Sequence, residues 1–298
     1  MKSMTKRIFC GTFAILLCFA TLVGCDIFDH GIDKLVIVSG VAIDQGEDEK
    51  YRVTAELSRI EGGALEGNVV PEVITKEGRT LSQAFAKIAQ ESGDQLHLGH
   101  CELIILSEDI ARDGIEDIID LWMGLPKYTP LAVVAVSRKD TAGELLKSED
   151  EDNEDILSSE GVKQIQLKKL VYQVHRELAQ GDSSLLPVLP DGIALLKNGC
   201  LSEIKSAEHA PYVQLAQGEF NSASLTFYNP DVTIDFYSAK VRNKNGVLNI
   251  HLTGSSSEYQ EDMEDIVRKQ LTKRIIQVAN VDKVRVYLSI RRESRGEA

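Results

Sequence analysis

The sequence predicts an α+β protein with several domains, in which mixed and antiparallel sheets are flanked by helices. Residues 51–57 alternate apolar and polar side chains, with the period of two that is typical of a strand with one wet face. Residues 81–89 place apolar side chains at helical spacing, and the chain from Leu186 onward is rich in strand patterns. A hydrophobic content of 43% over 298 residues is enough for two or three modest cores.

The N-terminus has the pattern of a bacterial secretion signal. Three cations and no acid precede an apolar run at 8–23, which is too short for a confident membrane span. The run ends in Leu22-Val23-Gly24-Cys25, which resembles the lipobox of bacterial lipoproteins. We therefore expect cleavage before Cys25 and lipidation of its sulfur. Two acyl chains make a stable anchor, because each buried CH₂ contributes about 0.8 kcal/mol.

The charge of the chain is acidic. The net charge of −13 argues against a nucleic-acid partner, which requires a basic surface. Removal of the leader would take away three cations and no acid, which changes the net charge to −16. Beyond the leader we find no apolar run that is long enough to span a bilayer. The sequence thus predicts a folded body tethered to the outer face of a membrane.

Strand and helix patterns alternate through the first half of the mature chain. Strands are predicted at 34–43, 51–57, 69–75, 101–106 and 131–136, with a loop at 61–68. Thr80-Leu81-Ser82-Gln83 forms a capping box that begins a helix. Ser107 begins a short helix with two acids at its positive end, and a second helical segment, which contains Trp122 as a core residue, ends at Gly124. A short helix is predicted at 140–147.

The second half begins with the acidic segment 148–155, which we interpret as a solvated linker. A calcium loop fits poorly there, because Asp155 and Gly161 stand where the turn glycine and the bidentate glutamate belong. A helix whose apolar face runs from Val162 to Leu178 is predicted next. The later elements are strands at 193–196, 219–227, 232–238 and 247–253, a helix at 258–279 and a last strand at 283–291.

These patterns suggest four segments. Residues 1–24 are a lipoprotein signal peptide, and residues 25–150 form an N-terminal α/β domain. Residues 151–215 comprise the acidic linker and a middle domain. Residues 216–298 form a C-terminal α+β domain.

One cluster, His97-Leu98-Gly99-His100-Cys101, could carry chemistry. Imidazole and thiol at this spacing could begin a zinc site or a Cys-His nucleophile pair, although no further ligand motif accompanies them. A turn that enters a buried strand is the interpretation we favour. Cys101 and Cys200 are interpreted as buried thiols rather than a disulfide, and no phosphate loop, nucleophile elbow or zinc-protease motif is present in the sequence.

Several blocks, in order, resemble the Ger(x)C family, the lipoprotein C subunits of spore germinant receptors in endospore-forming Gram-positive bacteria. The similar blocks are Leu35-Val36-Ile37-Val38-Ser39-Gly40-Val41-Ala42-Ile43-Asp44, Tyr51-Arg52-Val53-Thr54, Gly78-Arg79-Thr80, His97-Leu98-Gly99-His100-Cys101 with Ile104-Ile105-Leu106 and 108–115, Gly192-Ile193-Ala194-Leu195-Leu196-Lys197-Asn198-Gly199-Cys200-Leu201, and the closing strand 284–292. They cover most of the mature chain.

The sequence also departs from the family. The tryptophan and arginine that usually follow the lipidated cysteine are absent from 26–29, and Met123-Gly124 replaces an arginine-aspartate pair. The long C-terminal helical stretch of the family is shortened to a few residues between Ile276 and Val281, so the C-terminal domain is expected to be shorter than in the family.

The resemblance implies a non-catalytic receptor subunit that acts with A-type and B-type membrane subunits in nutrient-triggered germination. It implies α+β domains, no cofactor and no catalytic residue, and a lipid-anchored position, with the diacylglyceryl and acyl groups (palmitate) on Cys25, at the outer face of the cell membrane or inner spore membrane. Cys25 is the one site residue that it supports.

Two alternatives stay open. A solute-binding lipoprotein of a membrane importer would share the tether and the acidity, but that class usually has two similar βαβ lobes joined by a hinge. A surface-anchored hydrolase would need a nucleophile motif, which we do not find in the sequence.

Overall fold

The computed structural model describes residues 35–61, 68–124, 128–139, 141–147, 167–229 and 231–292. Within these ranges it is an α+β protein built on two sheets, which confirms the predicted fold class. No helix in the described ranges has both the length and the apolar character that a membrane crossing requires. Cys25 and the segment 148–155 lie outside the described residues.

The first sheet has nine strands: β1 (Leu35–Gln45), β2 (Tyr51–Glu61), β3 (Asn68–Gly78), β4 (Gln95–His97), β5 (Leu103–Leu106), β6 (Val133–Ser137), β7 (Ser184–Leu189), β8 (Ile193–Lys197) and β9 (Cys200–Lys205). Their order is β3-β2-β1-β5-β6-β7-β8-β9, with β4 also pairing with β1. The pairs among β1, β5, β6 and β7 are parallel, and the outer pairs are antiparallel. The sheet is therefore mixed.

In the described ranges this sheet is accompanied by the helices α1 (Leu81–Ser92), α2 (Glu108–Asp113), α3 (Glu116–Gly124), α4 (Gly143–Lys147) and α5 (Val171–Gln180). The predicted caps are present, since the hydroxyl of Thr80 accepts from the Gln83 N–H at 3.2 Å and that of Ser107 accepts from the Ile110 N–H at 3.4 Å. The Gln83 side chain accepts from the N–H of Arg79 at 2.8 Å, one residue earlier than in a standard capping box.

The second sheet consists of β10 (Ala223–Phe227), β11 (Val232–Lys244), β12 (Val247–Ser256) and β13 (Val284–Arg292), in that order. The first two pairs are antiparallel, whereas β12 and β13 are parallel and are connected through helix α7 (Glu264–Ala279). A further helix, α6 (Ala210–Gln217), precedes the sheet and packs on α7.

The described residues form two apolar clusters on the first sheet and a third on the second sheet, and this third cluster also includes Leu185 of β7 and Ile193 of β8. On the first sheet, Trp122 is 1% exposed and makes edge-to-face contacts with Phe85 and Tyr128, at ring separations of 5.9 and 5.0 Å, as its predicted core role requires. On the second sheet, the buried side of α7 packs on the inner side chains of β11 and β12, among them Phe236 and Ile250.

Several boundaries differ from the sequence predictions. Of the predicted helix around 162–178, residues 162–166 lie outside the described residues; within 167–178 the helix begins at Val171, because Leu170 forms a bridge with Val133 in the first sheet. The strand expected from residue 101 begins at Leu103, and the strand expected from residue 219 begins at Ala223. Helix α6 and strands β7 and β9 had no counterpart among the predicted elements. Strands β7 to β9 extend the first sheet into the segment 151–215, while the division into domains stays a prediction.

Candidate interaction surface

The histidine and cysteine cluster does not assemble a reactive thiol. His97 ends β4, and His100 ends a short 3₁₀ turn at Leu98–His100, which brings the two imidazoles to 5.2 Å between ring centres. Cys101 is 2% exposed, and its Sγ donates to the carbonyl of Leu103 at 3.4 Å. Burial raises the pKa of this thiol to about 12, so it stays protonated at neutral pH.

The described part of the chain contains no group of three or more His, Cys, Asp or Glu side chains that could hold a metal ion. The His97–Cys101 segment there is a turn that enters the buried strand β5, as the favoured interpretation expects. Cys200 is a half-buried free thiol, and neither it nor Cys101 is in a disulfide.

Asp44 is a buried carboxylate to which the sequence patterns assigned no role. One oxygen accepts from the Ala142 N–H at 2.6 Å and the other from the Gly143 N–H at 2.9 Å, so the carboxylate caps the start of α4. Burial raises its pKa, and the two amide hydrogen bonds oppose that change. A Cβ on Gly143 would lie 2.7 Å from the Thr54 hydroxyl, so only glycine fits. The role of Asp44 is to hold α4 against β1.

Lys169 is a buried cation between two carboxylates. Its Nζ lies 2.6 Å from Oε1 of Glu177 on α5 and 2.7 Å from Oε2 of Glu219, which precedes the second sheet. Burial raises the pKa of Glu219, and the hydrogen bond and charge of Lys169 oppose that change. This cluster ties the first sheet's helices to the C-terminal part of the chain.

The C-terminal part of the molecule carries a cationic surface, although the chain as a whole is acidic. Residues 264–292 contain eight Lys or Arg and three Asp or Glu. Lys240, His251 and Tyr287 are neighbours on adjacent strands across the open face of the second sheet. The rings of His251 and Tyr287 stack with 4.4 Å between their centres. Arg242 and Arg285 flank Asn249 in the next row.

An open groove of about 670 Å³ continues this cationic surface around the outer edge of β13. We call it the edge groove. It is lined by the exposed side of α7 and by the first part of β13, with Lys269, Lys273, Ile276, Arg285, Val286 and Tyr287 among its residues. Because polar cations surround an apolar floor, the edge groove is the strongest candidate for binding another molecule in the described part of the chain.

Comparison with known proteins places the chain in a family. The family described as "Spore germination protein N-terminal domain" matches residues 29–187, which is more than half of the chain. The chain belongs to this family. It is a spore germination protein, as the blocks in the sequence suggested.

Individual relatives are distant. The putative spore germination protein YfkR of Bacillus subtilis (strain 168) is 26% identical over 185 residues, which cover 59% of this chain and 43% of the relative. The chain therefore spans less than half of the length of that curated spore germination protein. Among solved structures, the GerBC protein aligns with 86% of this chain and 97% of its own, at 14% identity and a TM-score of 0.48. The sex pheromone staph-cAM373 precursor aligns with 82% of this chain and 68% of its own, at 11% identity and a TM-score of 0.16.

Proposed function

We propose that this spore germination protein is a lipid-anchored, non-catalytic subunit of a germinant receptor. It contributes to nutrient-triggered germination by interaction with A-type and B-type membrane subunits. The observation that carries the proposal is the family match over residues 29–187, which begins shortly after the lipobox at Leu22-Val23-Gly24-Cys25. A sequence with the pattern of a secretion signal, a lipobox cysteine and a germination domain in succession fits a tethered receptor subunit.

The proposed anchor is a diacylglyceryl group on Cys25, with an acyl group on the new amino terminus. It holds the folded body at the outer face of the cell membrane, which becomes the inner membrane of the spore. Two chains suffice for stable anchoring, whereas one chain gives only marginal binding. The acidic body is repelled by an anionic bilayer, so the anchor, rather than the body's net charge, supplies the attachment.

A binding role, rather than a catalytic one, is supported by the environment of the cluster that sequence analysis considered for chemistry. Cys101 is buried, and its thiol is protonated at neutral pH. The described surface instead offers an open groove with cations around an apolar floor. Such a surface suits contact with a partner protein.

The test is the Cys25→Ala variant at the natural locus in spores. We expect loss of the protein from the membrane fraction and loss of the response to the cognate nutrient, since the subunit no longer stays beside its partners. Cys200→Ala is the matched control, because it removes a half-buried thiol and leaves the lipobox intact. Normal germination of the Cys25→Ala spores to every nutrient, with no redundant paralogue present, would contradict the proposal.

The importer alternative is less well supported. The two sheets of the described chain differ in strand number and order and are not two similar lobes. Calorimetric titration of the purified protein with amino acids and sugars tests this alternative directly. Tight binding with one ligand per chain would favour a solute-binding protein over a receptor subunit.

A further inference from the structure

Strand β13 leaves one row of backbone groups without a partner strand. Among the residues that the structure describes, β13 pairs only with β12. The Leu248 N–H donates to the carbonyl of Lys283 at 2.9 Å, which sets the register of this parallel ladder. In a parallel ladder alternate residues bond to the same neighbour, so the N–H and C=O groups of Val286, Leu288 and Ile290 point toward the open edge.

The edge groove lies where a further strand would run beside β13. Ile276 on α7 is 36% exposed, and Tyr287 on β13 is 43% exposed. Leu288 and Ile290 face the core, yet they are only partly buried, because no described strand covers them from the outer side. A strand added to β13 would bury Ile276, Leu288 and Ile290 with the side chains on one of its faces and would cover Tyr287 with those on the other.

The cations around the edge groove are available for a partner. Arg268 is paired with Glu264 and Asp265 on its own helix. In contrast, Lys269, Lys273 and Arg285 have no ion pair with any residue in the described part of the chain. All three side chains are exposed. An occupant with carboxylates would therefore meet unneutralised positive charge.

We propose that the edge groove binds an extended segment of a partner protein, which adds to the second sheet as a strand beside β13. The segment alternates apolar and acidic residues: its apolar side chains face α7 and cover Val286 and Ile276, and its acidic side chains lie on the opposite face near Arg285. Lys273 on α7 adds positive charge to the groove. Backbone hydrogen bonds supply affinity, and the alternating side chains supply specificity. This rests on the proposed function, because it names the kind of segment by which a receptor partner would bind.

Charge distinguishes this occupant from a second copy of the same chain. Pairing of two β13 edges would bring Arg285, Arg291 and Arg292 of each copy close to those of the other, and like charges across neighbouring strands are destabilising. An anionic bilayer surface would satisfy the cations, but it offers no backbone groups to the open edge of β13. A peptide strand would therefore hydrogen-bond to alternate backbone amides of β13, whereas a bilayer surface would not.

The probe is a fluorescein-labelled nine-residue peptide of alternating valine and glutamate, added to the full mature protein in phosphatidylcholine vesicles. We expect saturable binding by fluorescence anisotropy that weakens with added salt. We also expect slower hydrogen exchange at the amides of Val286, Leu288 and Ile290 than in the free protein. A serine–glutamate peptide tests the apolar floor, and a valine–lysine peptide tests the charge; both should bind at least about tenfold more weakly.

Two pairs of variants locate the site. The double variant with Lys273→Glu and Arg285→Glu should weaken peptide binding about tenfold or more. The control double variant, with Arg176→Glu and Lys197→Glu, makes the same change in net charge at exposed positions near the first sheet. It should leave peptide binding unchanged. Leu288→Pro removes one outward N–H and should also weaken binding. Leu288→Ala loses the same packing but keeps that N–H, so it should weaken binding clearly less than Leu288→Pro does.

Equal binding to both charge-reversal variants, or binding without protection of alternate β13 amides, would overturn the proposal. Exchange protection of the groove by phosphatidylglycerol vesicles alone, with no peptide binding, would assign the surface to the membrane instead. Failure of this proposal can be told apart from failure of the proposed function, because a Cys25→Ala spore phenotype can stand while the peptide fails to bind, and the reverse also holds.

Discussion

The ammonium of Lys169 lies 2.7 Å from a carboxylate oxygen of Glu219, fifty residues farther along the chain. A second carboxylate, that of Glu177, lies 2.6 Å from the same nitrogen. Lys169 is 5% exposed, so one buried cation compensates two carboxylates that are themselves largely shielded from water. Glu177 lies on α5, beside the first sheet, and Glu219 lies just before the second sheet. Because both carboxylates contact Lys169, this cation couples the stability of the first sheet's part of the molecule to that of the second.

We expect Lys169→Met to lower the free energy of unfolding by about 2–4 kcal/mol at pH 7, because two carboxylates are left without a cation. The loss should be smaller at pH 4.5. The pKa of Glu219 is already raised by burial, so lowering the pH protonates this carboxyl readily and relieves the repulsion. Urea unfolding at the two pH values measures both effects.

Lys168→Met is the control for that prediction, since Lys168 is adjacent and exposed and should change stability by no more than about 0.5 kcal/mol. Adding Glu177→Gln and Glu219→Gln to Lys169→Met should recover part of the loss. Equal stabilities of the Lys169 and Lys168 variants would show that the cluster does not hold the parts together.

Asp44→Asn should destabilise the protein by about 2 kcal/mol, because the amide group cannot accept from both the Ala142 and the Gly143 N–H. The effect should be local as well as global: hydrogen exchange at those two amides should quicken more than at the centre of β1. Asp113→Asn, an exposed change at the end of α2, serves as the control. Unchanged exchange at Ala142 and Gly143 would contradict the capping role.

The carboxylate of Glu77 makes the folding stability of the protein depend on pH in the acidic range. This carboxylate accepts from the N–H groups of Glu47 and Asp48, at 3.0 and 3.1 Å, and from the Arg52 guanidinium at 3.0 Å. These contacts, with the backbone hydrogen bonds foremost, lower its pKa from 4.5 to about 2. The unfolded chain therefore binds this proton first, so the stabilisation is fully present above pH 4.5 and is lost as the pH falls toward about 2.

Glu77→Gln should accordingly cost about 1 kcal/mol at pH 7 and much less near pH 2, where the wild-type carboxylate is itself becoming protonated. Denaturant midpoints measured from pH 7 to pH 2 give the comparison. Glu102→Gln, at an exposed side chain, should run parallel to the wild type. A constant difference between Glu77→Gln and the wild type at every pH would exclude the linkage.

Local patterns predicted most of the elements but not their assembly. The caps at Thr80 and Ser107, the alternation in β2, β11 and β12, and the helical spacing of α1 and α7 are short-range signals, and each is present in the structure. The continuation of the first sheet from β6 to β7 crosses a long stretch of chain, and no local periodicity encodes which distant strand a strand will pair with.

The placement of Asp44, Lys273 and Arg285 likewise depends on contacts between distant parts of the chain, which local sequence patterns do not encode. The capping partners of Asp44 lie 98 and 99 residues away, so nothing adjacent in sequence marks it as buried. Lys273 and Arg285 each have the local pattern of an ordinary solvated face. Their meeting in the edge groove depends on the parallel return of β13 beside β12, which only the fold provides.

The two thiols of the described chain should differ sharply in reactivity. Cys101 is 2% exposed and its pKa is raised to about 12, so at pH 8 only about one molecule in 10⁴ carries the reactive thiolate. We expect a disulfide reagent to label Cys200 in the native protein and Cys101 only as fast as the protein unfolds. Under the proposed lipidation Cys25 should add no label, because its sulfur would be a thioether.

Two substitutions separate the contributions in that experiment. Cys200→Ala should leave almost no native labelling, and adding urea should then restore one thiol per chain. Cys101→Ala should leave the fast label unchanged. Rapid native labelling of the Cys200→Ala protein has two separable sources: mapping it to Cys101 would show that this thiol is not buried, and mapping it to Cys25 would show that the anchor is not attached.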